Sequence, residues 1–492
     1  MSLRIGWSQI DTTPSHLPVC LAGQFHCRIS EGVDDPLQAT VAVLDSGDDH
    51  VVFVSCDLVA ISDAIRDAVR DEIWTIPGGP DPAKIIFHAT HTHSGPEIQF
   101  DVSLRFLGRS HGVDLEVRPA EEYVQFLIGQ LVVAIREAWE SRQPGSMAYG
   151  LDYAVIARNR RWVDAEGRAL MYGLDRNAAE RFRHFEGYED HSLNLLATYH
   201  PDGGLSGLIV NIPCPSQHSE LAFRLSADFW KETREELRKR FGEDLFILSQ
   251  CSAAGELTQR VIYENAANSR MLGLRKRDHR REIAVRIAET VGRILPWIEP
   301  ARVDSPELIH KTKTLDLPLN DLTEKDVRDA ESAIQELEAD YHKEKAKIEA
   351  NPVFRETPRW YIPVTEAFRR ICWYRGVISR WEDQKTRATR AIEVHFVKLG
   401  DIAFATNPFE YYLDFGVQIK VRSPATQTFL VQLAGEGTYL PSPRSVAGGG
   451  YGSVAASNPF GPEGGQILAE HTVQQLRELF PASDPGKINT DS

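Results

Sequence analysis

The sequence predicts an α/β protein: mixed β-sheets flanked by helices, with a long helical hairpin inserted late in the chain. Three observations carry this. β-Branched apolar runs such as "ATVAVLD" (39–45) and "HVVFVSCDLVAI" (50–61) read as strands separated by a turn, "SGDD". Segments with apolar residues at helical spacing follow such runs, and strand-helix-strand order is the α/β signature. Finally, "NDLTEKDVRDAESAIQELEADYHKEKAKIEA" (320–350) has neither glycine nor proline and is rich in helix formers.

Taken in order, "DAIRDAVRDEIW" (63–74) is the first helix, ended by "PGGPDP", and "AKIIFHAT" (83–90) is the next strand. A helix over 120–141 carries an apolar stripe that includes Val124, Leu127, Leu131 and Ile135. Strands resume near 146–157, at "SLNLLATYH" and at "GLIVNIPC", before the charged amphipathic helix of 226–242. "LFILSQCSAAGE" (245–256) is a strand running into a turn of small residues.

In the inserted segment, Thr323 with Asp326 forms a capping-box pattern. The connector "NPVFRETPRWYIP" then leads to a second helix. Its charges read as a solvated face. Its aromatic residues Trp373, Tyr374 and Trp381 are expected to pack on the body or on another subunit, which makes the hairpin the candidate surface for a homo-oligomer. The sheet returns over 390–410 and 428–442, then comes the glycine-rich "AGGGYGS" and a closing helix at 464–480. The expected organisation is one intertwined domain built from 1–314 and 390–482, the hairpin over 315–389, and a flexible tail at 483–492.

Hydrophobic residues make up 42% and charged residues 25%, the balance of a globular protein with a sizeable core. The net charge of −15 is spread along the chain, which argues against nucleic acid or an anionic membrane and leaves a small polar substrate as the expected partner. The amino terminus lacks a cationic start followed by an apolar run. No stretch approaches the roughly 18 apolar residues of a membrane-spanning helix. The six cysteines are scattered with no CxxC pair, so reduced thiols and a cytoplasmic location are expected; Cys20 and Cys27 could form a local disulfide if the protein were exported.

The chemistry-bearing residues sit at strand ends. "FHATHTHSGPEIQF" (87–100) places His88, His91 and His93 where the strand from residue 83 gives out. Positions i and i+2 of an extended segment share a face, so His91 and His93 could enter one site. Two readings stand, both as metal ligands or one on the metal with the other serving the substrate or supporting a ligand; the competing reading is a hydrogen-bonded loop histidine. In "CPSQHSE" (214–220), Cys214, His218 and Glu220 are weaker candidates, readable equally as a buried thiol and surface loop residues. Glu410 follows the strand "IAFAT", and Tyr439 and Tyr451 flank glycine and proline loops. No GxSxG elbow, HExxH or P-loop lysine motif is present.

These blocks, in this order over most of 1–310 and 390–480, resemble the neutral/alkaline non-lysosomal ceramidase family, a group of zinc-dependent amidases. "ATHTHSGP" is close to that family's histidine motif, and the resemblance makes His91 a zinc ligand and places His93 beside the substrate. "NPFEYYLDFG" looks like its Pro-x-Glu segment, implying Glu410 as the carboxylate ligand. "GEGTYLP" implies Tyr439 as the tyrosine ligand, and "GGGYGS" puts Tyr451 on the substrate side. "ARNRRW" makes Arg160 a substrate-contacting cation, and "SQCSAAGE" suggests Ser252 as an active-site serine. Where the family carries its second zinc histidine this chain reads "NIPCPSQHSE", and His218 is the nominated ligand. Glu256 replaces an aspartate, the hairpin is extra, and no immunoglobulin-like C-terminal domain is expected.

The expected function is therefore a zinc-dependent hydrolase that acts on an amide-type bond in a soluble polar substrate rather than on ceramide. The alternatives are the same metal chemistry on a glycosidic or ester bond of a carbohydrate-like metabolite, or a non-catalytic ligand-binding relative.

Overall fold

The computed structural model describes residues 2–98, 111–172 and 176–481; the tail expected at 483–492 lies outside the described residues. Three mixed sheets carry the fold, and each contains one parallel pair of strands. The first runs Ile85–Ala89, His50–Cys56, Gln38–Asp45, Arg4–Asp11 and Gln143–Pro144. The second runs Phe246–Cys251, Leu205–Ile212, Ser192–Tyr199 and Ser146–Tyr153. The third runs Leu308–Pro318, Thr389–Leu399, Ile402–Thr406 and Gln427–Val431.

The parallel pairs are His50–Cys56 with Ile85–Ala89, Leu205–Ile212 with Phe246–Cys251, and Ile402–Thr406 with Gln427–Val431. Parallel neighbours need a crossover, and each pair has a helix between its strands: Asp63–Trp74, Phe229–Phe241 and Leu413–Arg422. The chain thus uses the strand-helix-strand unit three times. In the first unit Ser62 caps its helix by accepting from the Ile65 N–H, while Ile65, Val69 and Ile73 form the buried stripe. The sequence pattern places this helix at the same residues.

Side-chain alternation explains how the sheets share a core. Along Gln38–Asp45, Ala42 and Leu44 enter a cluster with Phe53, Leu196, Ile209, Leu248, Phe404 and Phe429, contributed by all three sheets. Their neighbours Val41 and Val43 belong to a second cluster with the stripe of the Asp63–Trp74 helix and with Leu127, Leu131 and Ile135 of the Ala120–Glu140 helix. A period of two sends alternate residues to opposite faces, so one strand serves a sheet-sheet and a sheet-helix interface.

The insertion leaves and rejoins the body through two paired strands, in register from Leu308 opposite Leu399 to Pro318 opposite Thr389. Strand pairing therefore extends into 315–318, and helix begins at Glu324. The helices Glu324–Ala350 and Ile362–Asp383 form the hairpin. The Thr323–Asp326 capping box is formed in both directions. The first helix buries only Ala330 and Ile348, whereas the second seats Trp373 and Val377 in a cluster with Leu322, Ala330 and Ala456. Its aromatic half thus packs on the body of the same chain. Among the described residues no helix is long and apolar enough to cross a membrane. The six cysteines are buried and free.

Candidate metal centre

The carboxyl ends of the three parallel pairs supply the site. His91 and His93 follow the first, Gln217 and Gly255 the second, and Glu410 and Tyr439 the third. Ligand sites of α/β sheets form outside such ends because the chain there leaves the ladder and turns.

The histidine loop is fixed by its hydroxyl residues. Thr92 Oγ1 donates to Ser226 O at 2.7 Å, Ser94 Oγ to Ser219 O at 3.1 Å, and Ser216 Oγ back to Thr90 O at 2.8 Å. Beneath it, a buried ion pair joins Arg234 to Asp57 at 2.7 Å, and Thr90 Oγ1 donates to the same carboxylate. His91 itself has φ of 64°, a left-handed conformation that is uncommon for a side-chain-bearing residue and that clusters at functional sites.

Hydrogen-bond chemistry then assigns the ring tautomers. His91 Nδ1 lies 2.7 Å from Val59 O, an acceptor only, so Nδ1 carries a proton and, in the neutral ring, Nε2 presents a lone pair. Facing that lone pair is Glu410 Oε2 at 3.3 Å. On the neighbouring side, Arg160 donates to Gln217 Oε1 at 3.2 Å, which fixes the amide and leaves Gln217 Nε2 to donate to His93 Nε2 at 3.0 Å. The His93 proton therefore sits on Nδ1, 3.5 Å from Glu220 Oε2, and its Nε2 is a second lone pair, 3.3 Å from His91 Nε2. Burial, with His91 and three arginines adding to it, holds the His93 imidazole well below its ordinary pKa, so it is neutral. His91 Nε2 thus stands 3.3 Å from both the His93 nitrogen and the Glu410 carboxylate oxygen.

Tyr439 joins the group through a short parallel strand pair, with Glu410 in register with Tyr439 and Tyr411 with Leu440. Its hydroxyl accepts from Arg160 at 3.2 Å. Arg160 is buried, and its terminal nitrogens also reach Tyr172 Oη at 2.6 Å and Gly255 O at 2.8 Å, with Glu410 Oε2 at 3.9 Å. It ties the walls of the site together. Gly255 is needed for that approach, since a Cβ there would lie 2.5 Å from Glu410 O.

Zinc bound by nitrogen and oxygen at about 2.0–2.2 Å sets tetrahedral neighbours about 3.3 Å apart. The His91–Glu410 separation has that value, the Nε2 tautomer is correct for a ligand, and the second ring nitrogen is held by a carbonyl, as ligating histidines usually are. His91 and Glu410 thus have the spacing of zinc ligands, and Arg160 reaches both Tyr439 Oη at 3.2 Å and Glu410 Oε2 at 3.9 Å.

The remaining expected residues are placed as follows. Tyr451 is partly exposed, its ring 5.5 Å from that of Tyr439 and 6.1 Å from Trp373 of the hairpin. His88 is fully buried without a hydrogen-bond partner on either ring nitrogen, and burial lowers its pKa to about 3; it is a neutral core residue. Ser252 is buried with a partnerless Oγ, and none of its described hydrogen bonds reaches the histidines. His218 is not brought to the group: its ring lies against His279, 5.2 Å between centroids. The chain turns at 218–220, which lets Gln217 and Glu220 both reach His93 while His218 lies away from it. The sequence reading passed over Gln217, Tyr172 and the Val59 carbonyl. Only the position of Gln217, one residue before a nominated ligand, could have signalled it.

No family model matches the chain, and no curated protein matches it. Solved structures do. The chain superimposes on neutral ceramidase from Pseudomonas aeruginosa with a TM-score of 0.65 at 17% identity, covering 98% of this chain and 75% of that one. The fold is ceramidase-like. A ceramidase complexed with C2 matches equally, with a TM-score of 0.65 and 16% identity over 98% and 76% of the two chains. At this identity the likeness speaks for the fold alone.

Proposed function

We propose that this protein is a zinc-dependent hydrolase that cleaves an amide-type bond in a small polar substrate. The observation that carries the reading is the lone pair of His91 Nε2 set 3.3 Å from the Glu410 carboxylate, with Tyr439 held beside them by Arg160. His91, Glu410 and Tyr439 would hold the ion. Zinc, when bound, acidifies water and polarises a carbonyl oxygen.

The protein's own residues do the rest. His93 is a neutral base with its lone pair on the site side and Glu220 behind Nδ1, so it accepts a proton at Nε2 while the carboxylate stabilises the imidazolium. It then returns that proton to the leaving nitrogen. In the resting tautomer His93 is thus an acceptor at Nε2, and Tyr451 is the hydroxyl that donates to the developing oxyanion. Arg160 maintains the positions of Tyr439 and Gln217. Polar groups around His93, namely Gln24, Gln217, Glu220 and Arg260, support a polar substrate.

Zinc analysis of the purified chain, followed by assays on N-acyl amides, esters and glycosides, tests the reading. One zinc per chain with amide turnover is expected. Turnover of glycosides or esters alone transfers the same chemistry to another bond, and absence of stoichiometric zinc contradicts the proposal.

A further inference from the structure

We propose that Cys20 and Cys27 are a peroxide-responsive thiol pair that closes to a disulfide across the base of the loop covering the metal centre. The two residues lie on a small hairpin in which Cys20–Leu21 pairs with Arg28–Ile29, Cys20 opposite Ile29 and Leu21 opposite Arg28. Their sulfurs and a ring nitrogen of His111 all lie within 4.8 Å of one another. The His111 ring faces both sulfurs, Nδ1 at 3.3 Å from Cys27 Sγ and Nε2 at 3.9 Å from Cys20 Sγ.

A metal site would use the same residue types, but two features point to thiol chemistry. His111 turns a different nitrogen to each sulfur. The guanidinium of Arg369, buried and paired with Glu97 at 2.7 Å, donates to His111 Nδ1 at 3.2 Å, so that nitrogen's lone pair is already engaged. A cation beside Cys27 also favours its thiolate. Burial pushes the Cys27 thiol up, but the Cys20 hydrogen bond, Arg369 and His111 outweigh it and bring Cys27 below its ordinary value. Cys20 and His111 line a cavity of about 640 Å³ that brings a small oxidant as far as Cys20, while Cys27, fully buried, does not line it.

The loop between the cysteines touches the catalytic group. At Gly23, with φ of +94°, a Cβ would lie 2.4 Å from the His93 ring. Phe25 packs edge-on to Tyr451 at 6.0 Å and to Trp373 at 5.3 Å. Arg28 clamps the Ala22 and His93 carbonyls together.

The co-reactant is a hydroperoxide. The Cys27 thiolate attacks one peroxide oxygen, so an S–O bond forms, the O–O bond breaks, and hydroxide leaves to become water. The Cys20 sulfur then attacks Cys27 Sγ, forming S–S and breaking S–O, and the departing hydroxide takes the Cys20 proton as water. Two thiols lose two electrons and the peroxide gains them. The bridge restrains the loop against His93.

Hydrogen peroxide on the intact chain, read by mass and peptide mapping, tests this. The mass should fall by two hydrogens, residues 20 and 27 should appear in one cross-linked peptide, and dithiothreitol should reverse both. Exchange of the backbone amides of 22–26 should slow by about tenfold or more on oxidation. Cys20→Ser should instead give a sulfenic acid at Cys27 that dimedone traps. The proposal is overturned if both thiols remain alkylatable after peroxide, or if titration with zinc alone shows a second equivalent that is lost in Cys20→Ser and Cys27→Ser. Should those variants fail to fold, the mass and zinc stoichiometry of the unsubstituted chain still decide.

Discussion

Glu410 and Tyr439 stand opposite each other in a two-residue parallel strand pair, with the Glu410 N–H donating to Thr438 O at 3.0 Å. That pairing sets a carboxylate and a phenol side by side at the exit of the third parallel pair. Arg160 then bonds the phenol, and the same guanidinium reaches toward the carboxylate.

Arg160→Lys should weaken the centre without unfolding the chain. A lysine keeps the charge but cannot reach Tyr172, Gln217, Gly255 and Tyr439 together. Zinc affinity, measured by chelator competition, should fall by about 10–100-fold.

Gly255→Ala should displace Glu410, because the added Cβ meets its backbone oxygen at 2.5 Å. A destabilisation of about 1–3 kcal/mol is expected in denaturant melts, with loss of zinc. Gly273→Ala, at a helical position with nothing within 4 Å of its Cβ, is the control and should leave both unchanged or raise stability slightly.

Glu256 gives a pH signature. Burial pushes its pKa up to about 8, with the Leu413 N–H accepted by the carboxylate acting the other way. The folded value lies above the unfolded one of about 4.3, so folding binds a proton. Its contribution is complete below about pH 4.3 and is lost as pH rises through about 8. Melting temperatures followed from about pH 5 to about pH 9 should therefore decline less steeply for Glu256→Gln than for the unsubstituted chain.

Trp373→Ala should cost about 3–5 kcal/mol, since the ring is buried among Leu322, Val377 and Ala456 and stacks near Phe25 and Tyr451. A larger fall in activity than in zinc content would show that the hairpin shapes the substrate side of the site.

The strand ends were legible because apolar β-branched runs stop abruptly at "HATHTH", at "NIPC" and at "IAFATNP". The first amphipathic helix was legible to the residue, because Ser62 and the Ile65, Val69, Ile73 stripe are both local signals. Which side chain enters the site was not. Gln217 and His218 differ by one position, and which of them turns inward is decided by Arg160 and His93 from distant segments. The helix His279–Ile298 also went unassigned, with Pro296 inside it and eleven residues, Glu282, Thr290 and nine aliphatics, buried by tertiary packing that includes Phe229–Phe241 and Ser146–Tyr153. The tautomers of His91 and His93 depend on Val59 and Gln217, contacts that sequence spacing cannot express.

Zinc content of His91→Ala and His93→Ala, measured beside activity, tests the central claim most directly. His91→Ala should lose the metal and activity together, while His93→Ala should keep the metal and lose activity. Normal zinc retention by His91→Ala would contradict the account.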